Sequence, residues 1–317
     1  MSKPSPDQSH KQINLALQGG GAHGAYTWGV LDRLLEDDFI TIDTISGTSA
    51  GAVNAVALAS GFLEDGASGA RKKLETIWAA ISKAGDFISI PTTPMEFMSK
   101  AMSGMFSPFD HHPFALDPLR DILKEHIDFE RLRLNSTINV HVAATALTTG
   151  KARIFDNSEL SVNAVMGSSC LPMLSKTVII EGESYLDGGF SANPALRPVI
   201  QNSNTEDTLL VQLSPVDSFN LKTHMSGMSN QLSFTESLRK EISLLEAGHD
   251  IDDHRFHLID GTPVTERLNP GSEMTPNWSM LTELFEAGRE ACALFLSVHR
   301  SKIGTQGSID LHEHFRL

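Results

Sequence analysis

Residues 13–24 read INLALQGGGAHG, and residues 40–51 read ITIDTISGTSAG. Each stretch is a short apolar run that ends in glycines. Residues compatible with a helix follow in both cases, first as apolar residues at intervals of three and four and then as a small alanine-rich segment. A strand, a glycine turn and a helix therefore occur twice in succession, which predicts an α/β domain with a mainly parallel sheet.

The rest of the chain extends this pattern. Further strands are predicted at 137–144, 176–180, 184–186 and 208–213, and helices at 233–247 and 278–302. No repeat or linker divides these segments. We expect a polar leader over residues 1–12 and a single domain over residues 13–317, with a helical C-terminal part over residues 233–302.

Residues 85–118 interrupt the alternation with several prolines in a stretch rich in Phe and Met. A long irregular segment in a compact domain is usually a functional loop or disordered, and disordered segments are poor in aromatic residues. Two interpretations stay open for this insertion. It is either a mobile apolar cover over the site or a packed insertion over a sheet edge.

Charge and composition exclude several classes of protein. The formal net charge of −14 disfavours binding to nucleic acid and electrostatic capture by an anionic bilayer, because both need a basic surface. Membrane contact would then have to be apolar or transient. Cys170 and Cys292 are the only cysteines, so neither a disulfide framework nor a thiolate zinc site is expected.

The leader contains no apolar core typical of a signal peptide, and no run of about 18 apolar residues predicts a spanning helix. Together with the two cysteines, this favours a cytoplasmic protein with at most peripheral membrane contact. The sequence does not indicate an oligomeric state.

The segment Gly47-Thr48-Ser49-Ala50-Gly51 matches the G-x-S-x-G nucleophile elbow, in which a tight turn from strand to helix exposes a serine hydroxyl. By chance the bare string is expected about 0.1 times in a chain of this length, given glycine near 7% of residues. An apolar run precedes the string and an alanine-rich helix follows it. This context predicts Ser49 as a nucleophile.

The earlier glycines allow two interpretations. Gly19-x-Gly21-x-x-Gly24 fits the dinucleotide-binding fingerprint, with Asp43 near the expected acidic position. The backbone amides of the same loop could instead form an oxyanion hole at a helix N-terminus. Ser49 nearby favours the second interpretation, whose candidate residues are Gly19, Gly20, Gly21, Ala22, His23 and Gly24.

A serine nucleophile needs a base. Asp187-Gly188-Gly189 places an aspartate on a glycine turn, from which it could accept the Ser49 proton directly. Asp65 has a similar local pattern but lies about four helical turns past Ser49, roughly 20 Å away by the helix rise. We expect the remaining histidines to be ordinary surface or core residues; they include His249, His254, His257 and His299.

GGGAHG (19–24), GTSAG (47–51) and DGGFSANP (187–194), in this order, resemble the patatin-like phospholipase family. GSSCLP (167–172) resembles the small-residue helix and proline that precede the aspartate in that family. The resemblance covers residues 14–194. It implies a three-layer α/β/α fold, Ser49 as nucleophile, Asp187 as proton acceptor and the glycine-loop amides as oxyanion hole.

The resemblance further implies a lipid or fatty-acyl ester substrate and neither metal nor cofactor. His23 departs from the family, since many members carry Arg or Lys there, and its charge would depend on pH. Three functions stay open. The first is a lipid acyl hydrolase of the phospholipase A, lysophospholipase or carboxylesterase type. The second is a polyester depolymerase or acyltransferase on the same dyad, and the third is a nucleotide- or phosphate-binding protein.

Overall fold

The computed structural model describes residues 10–85, 118–171, 177–216, 225–269 and 271–317, with the backbone alone for 225–231. The strands are β1 (Lys11–Leu17), β2 (Ile40–Thr48), β3 (Asn139–Ala146), β4 (Ala152–Phe155), β5 (Val178–Ile180), β6 (Glu183–Asp187), β7 (Asp207–Gln212) and β8 (Arg255–Asp260). The helices are α1 (Gly24–Leu34), α2 (Ala50–Gly85), α3 (Pro118–His126), α4 (Phe129–Asn135), α5 (Val162–Ser168), α6 (Arg197–Gln201), α7 (Met225–Ala247), α8 (Thr262–Thr265), α9 (Trp278–His299) and α10 (Leu311–Phe315).

These strands form one sheet in the order β5-β6-β3-β2-β1-β7-β8, with β4 paired to β3. The central pairs β3-β2, β2-β1, β1-β7 and β7-β8 are parallel, whereas β6 runs antiparallel to β3. Parallel neighbours bring the carboxyl ends of β1 and β2 to one edge of the sheet. The glycine segments that follow these strands therefore lie side by side.

Helices cover both faces of the sheet. Alternate side chains of β1 enter different cores: Leu15 and Leu17 join α1, α2 and α9 in the larger one. Ala16 points the other way, into a smaller core with residues of α6, α7 and α10. This period of two, with apolar residues on both faces, is typical of a central parallel strand. The predicted three-layer α/β/α fold is confirmed.

The second helix begins at the serine turn and breaks once. Asp65 and Gly66 have non-helical backbone angles, with φ of −155° and +54°. The two halves then pack closely, since a Cβ built on Gly61 would lie 2.3 Å from the Gly69 carbonyl oxygen. The first half carries Asp65 away from Ser49, as the sequence predicted.

All the strands and helices predicted from the sequence are present, with shifted ends. Strands β4 and β8 and helices α3, α4, α6, α8 and α10 were not predicted. All but the two end residues of the proposed insertion, 85–118, lie outside the described residues, as does most of the leader. The single-domain assignment stays a prediction. Among the described helices, none has the length and apolarity needed to cross a membrane.

Candidate active site

Ser49 lies in the turn between β2 and α2 with a left-handed backbone, φ +54°. Non-glycine residues rarely adopt this conformation, and it is a sign of a functional turn. The flanking glycines allow the turn to close: a Cβ on Gly47 would lie 2.4 Å from the Gly51 carbonyl oxygen, and one on Gly51 would lie 2.2 Å from that of Leu17. The backbone thus has the geometry of a nucleophile elbow.

The glycine loop, residues 19–24, lies directly against this turn. A Cβ on Gly19 would lie 2.9 Å from Ser49 Cβ, and one on Gly24 would lie 2.6 Å from Ala50 Cβ. Gly21 has φ +56°, and residues 21–23 form a single 3₁₀ turn before α1. The two predicted glycine motifs are therefore adjacent in space.

The amides of this loop differ in their hydrogen bonding. The Gly19 N–H donates to Asn193 Oδ1 at 2.8 Å, so it is already occupied. Within the described part of the chain, the N–H groups of Gly20 and Gly21 donate no hydrogen bond. The candidate oxyanion donors are therefore the N–H groups of Gly20 and Gly21, in the middle of the loop.

Asp187 ends β6 beside the serine turn. Consecutive residues of β3 pair with the two segments, since Ala143 pairs with Thr48 and Ala144 with Asp187. Gly188 makes this approach possible, because a Cβ there would lie 3.0 Å from Thr48 Cγ2. Thr48 Oγ1 also donates to the Ala192 carbonyl at 2.8 Å, which ties the elbow to the segment after the aspartate.

The Asp187 carboxylate is 1% exposed. Its Oδ1 accepts the Gly189 N–H at 2.8 Å, while Oδ2 is buried with no hydrogen-bond partner among the described residues. Burial raises the pKa of Asp187 to about 7, although the Gly189 amide and the Ser49 hydroxyl each lower it in part. The Ser49 hydroxyl is thus close enough to influence the carboxylate without forming a fully aligned hydrogen bond.

One short segment positions both residues. Ser168, at the end of α5, accepts the Ser49 N–H on its Oγ at 2.8 Å, and the Cys170 carbonyl accepts the Asp187 N–H at 2.8 Å. Ser168 and Asn193 are both fully buried. Sequence reasoning noted the motifs that contain these residues but assigned neither a role, because a supporting hydrogen bond leaves no spacing pattern.

The other candidates considered from the sequence lie elsewhere. Asp43 accepts hydrogen bonds from the backbone and side chain of Asn204, both at 2.9 Å, so its carboxylate is engaged within the protein. His257 is buried between Asp207, at 3.0 Å, and Ser308, at 3.3 Å. In the described parts of the chain no hydrogen bond joins Ser49 or Asp187 to any histidine, including His249, His254 and His299.

His23 lies in the glycine loop with Nε2 at 2.8 Å from Ser272 Oγ. Burial lowers the pKa of His23 to about 4. The ring is therefore neutral at pH 7. The positive charge expected from the sequence forms only well below that pH. No group of three or more His, Cys, Asp or Glu side chains that could hold a metal ion occurs among the described residues.

The α/β fold thus brings a serine turn, a glycine loop and a buried aspartate together beside the sheet. The family model described as "Patatin-like phospholipase" matches residues 15–200. That range covers more than half of the chain, which belongs to this family. The resemblance seen in the sequence is confirmed.

Solved structures that align with the chain include two bacterial proteins. VipD from Legionella pneumophila aligns with a TM-score of 0.45 and 15% identity, over 96% of this chain and 73% of VipD. A chain of the ExoU–SpcU complex from the type III secretion system of Pseudomonas aeruginosa aligns with a TM-score of 0.36 and 16% identity. That alignment covers 94% of this chain and 53% of the other, so the chain spans about half of its length. No curated protein matches the sequence closely enough to count as a relative.

Proposed function

We propose that this protein is a lipid acyl hydrolase that cleaves carboxylic esters with a dyad of Ser49 and Asp187. The observation that carries the proposal is the free, buried Oδ2 of Asp187 beside a serine held at φ +54°. A buried acceptor without a partner is costly, and such exceptions in native proteins need an explanation. Proton transfer from Ser49 supplies one.

In the proposed reaction Asp187 accepts the proton of the Ser49 hydroxyl while Ser49 Oγ attacks the carbonyl carbon of the ester. The protonated Asp187 then gives this proton to the leaving alkoxide, which leaves an acyl group on Ser49. Water attacks the acyl-enzyme in the second half of the cycle, with Asp187 again as base. A base with a pKa near the operating pH suits both directions of transfer.

The N–H groups of Gly20 and Gly21 are the proposed donors to the oxyanion. They lie at the N-terminal end of α1, where the helix dipole also favours negative charge. A donor of this kind is typically worth about 2.7–4 kcal/mol in the transition state. Small residues are needed here because the loop lies against the serine turn.

The substrate is proposed to be a lipid or fatty-acyl ester, in keeping with the family. Burial of each methylene of an acyl chain would contribute about 0.8 kcal/mol. We propose that the apolar insertion, residues 85–118, forms the wall that the acyl chain contacts. It lies outside the described residues, so its role stays a prediction.

A panel of acyl esters that vary in chain length and headgroup tests this function. We expect hydrolysis by the purified protein, and loss of nearly all of it in Ser49→Ala and Asp187→Asn, because nucleophile and base act as one unit. Asp65→Asn is the matched control and should keep full activity. Retention of more than a few per cent of activity by either folded dyad variant would refute the dyad.

A further inference from the structure

The glycine loop is held from three directions. At its start, Asn193 Oδ1 accepts the Gly19 N–H at 2.8 Å. At its end, Asn54 Nδ2 donates to the Gly24 carbonyl at 3.0 Å, and Trp78 in turn donates to Asn54 Oδ1 at 2.9 Å. These two anchors come from residues within the range matched by the family.

The third contact comes from the C-terminal part of the chain, beyond that range. Ser272 Oγ lies 2.8 Å from His23 Nε2 and is 8% exposed as a residue. The next residue contacts the loop backbone, since a Cβ on Gly21 would lie 2.3 Å from the Glu273 carbonyl oxygen. Residues 271–274, which we call the C-terminal turn, therefore lie against the middle of the loop, where the proposed donors are.

The C-terminal turn is itself well fixed. It begins at Gly271 with φ +86°, the Ser272 N–H donates to the Asn269 carbonyl at 3.0 Å, and the Met274 N–H donates to that of Gly271 at 3.0 Å. Three residues later, Asn277 caps α9 by accepting the Met280 N–H at 3.0 Å. Position 272 is therefore set by backbone hydrogen bonds on both sides.

Helix α9 packs against α1, the helix that follows the glycine loop. A Cβ on Gly29 of α1 would lie 1.9 Å from the Phe285 carbonyl oxygen, and one on Gly288 would lie 2.1 Å from that of Tyr26. The backbones of α1 and α9 are thus in direct contact. Since α1 begins where the glycine loop ends, the C-terminal part fixes both the loop and the helix behind it.

We propose that Ser272 is a positioning residue for the oxyanion donors, acting through His23, and that the C-terminal turn is one wall of the oxyanion loop. This inference rests on the proposed function. Oxyanion donors are effective because they are already in place before charge develops. Without the Ser272 hydroxyl, the His23 ring nitrogen loses its partner and the middle of the loop loses one of its supports.

The test compares Ser272→Ala with Ser272→Thr, which keeps the hydroxyl, and with Ser279→Ala. Ser279 is a matched control in the same part of the chain, since its hydroxyl donates a hydrogen bond to Glu283, at 3.3 Å, and to no other described residue. For hydrolysis of p-nitrophenyl butyrate, kcat of Ser272→Ala should fall about tenfold, less than the ~10²–10³ expected for a lost donor. KM should stay within about twofold, because the contact acts on the transition state and not on binding. Ser272→Thr should restore kcat, and Ser279→Ala should leave it unchanged.

A second readout does not depend on turnover. Hydrogen–deuterium exchange of peptides covering residues 18–25 should be faster in Ser272→Ala than in the wild type and unchanged in Ser279→Ala. Faster exchange there with a normal unfolding temperature supports a local role in holding the loop. Unchanged exchange together with unchanged kcat would overturn the inference while leaving the dyad intact.

A double-mutant cycle shows whether the two side chains act together. His23→Phe keeps a planar ring but removes Nε2, so the combination with Ser272→Ala should be no worse than the more damaging single change. Fully additive losses would contradict action through His23. A wild-type protein that hydrolyses no ester would instead refute the proposed function, which separates that failure from failure of this inference.

Discussion

The amide of Gly189 donates a 2.8 Å hydrogen bond to Oδ1 of Asp187, two residues earlier in the chain. This bond fixes the carboxylate, whereas Oδ2 has no hydrogen-bond partner in the part of the chain that the structure describes. In the proposed dyad, one oxygen of the aspartate is thus held in position and the other is left for proton transfer. In a Ser-His-Asp triad a histidine lies between the serine and the aspartate. In the dyad that we propose, burial of Asp187 would instead raise the pKa of the base.

The first prediction concerns the pH dependence of activity. Since the base must be ionised and burial raises the pKa of Asp187 to about 7, kcat/KM should rise with pH through about 7 and level off above it. Below the midpoint the fall should approach about tenfold per pH unit. Initial rates on a soluble ester between pH 5.5 and 9 measure this, with tryptophan fluorescence as the control for folding. A midpoint near 4 would mean that the carboxylate is not buried in the working enzyme.

The second prediction concerns stability. The pKa of Asp187 is about 7 in the folded protein, against the ordinary aspartate pKa of 3.8, which we take for the unfolded chain. Between these values the folded state holds a proton that the unfolded state has lost, so the free energy of unfolding decreases as pH rises. Asp187→Asn has no such pH dependence, because its side chain does not titrate, and it keeps an acceptor for the Gly189 amide. The melting temperature of the variant minus that of the wild type should therefore increase by a few degrees between pH 5.5 and 8.5.

Thermal unfolding of both proteins at several pH values measures the difference. Asp65→Asn is again the control and should show no such trend, because Asp65 lies in the break of α2 away from the dyad. A melting-temperature difference that stays constant with pH would contradict a raised pKa at Asp187.

The third prediction uses two glycines with nearly the same backbone. Gly21 and Gly150 have φ of +56° and +65°, so alanine is strained at both. A Cβ on Gly21 would lie 2.3 Å from the Glu273 carbonyl oxygen, whereas a Cβ on Gly150 would meet nothing within 4 Å. Gly21→Ala should therefore lower ester hydrolysis by at least ~10²-fold, as expected on losing an oxyanion donor. Gly150→Ala should cost about 1–2 kcal/mol of stability, from the left-handed backbone alone, and leave activity unchanged. Equal activity of the two variants would remove the glycine loop from catalysis.

The fourth prediction is that no other histidine acts as the base. Single replacement of His249, His254, His257 or His299 by Gln should leave turnover within about tenfold, short of the ~10²–10⁴ lost without general-base catalysis. His257→Gln should be less stable, because it breaks the buried contact to Asp207. Activity per folded molecule is the quantity to compare. It should also survive EDTA, since the proposed steps use only side chains and backbone amides.

The sequence predicted the parts of the site that are local. Ser49 and the glycine loop each follow a strand in the chain, so spacing and glycine content were enough to find them. Asp187 was found because a glycine turn follows it directly. Strand β8 was missed, since its six residues show no clear alternation and lie between charged residues. Strand β4, with four residues, is too short to carry a period.

The supporting contacts could not be predicted in the same way. Asn193 accepts a hydrogen bond from the amide of Gly19, which lies 174 residues earlier in the chain, and Ser272 lies 249 residues from His23. Contacts of this range depend on the finished fold, and a single polar residue has no periodic signature in the sequence. The sequence predicted a pH-dependent charge at His23, but the lowering of its pKa to about 4 comes from burial that only the folded chain creates.

The most direct test of the dyad is covalent labelling with a fluorophosphonate, followed by mass spectrometry of the intact protein and its peptides. We predict one adduct per chain, on Ser49, no adduct in Ser49→Ala, and labelling at least ~10²-fold slower in Asp187→Asn, as expected when a general base is lost. Asp65→Asn should react at the wild-type rate. Absence of an adduct on Ser49, or an unchanged rate of labelling in folded Asp187→Asn, would contradict the account.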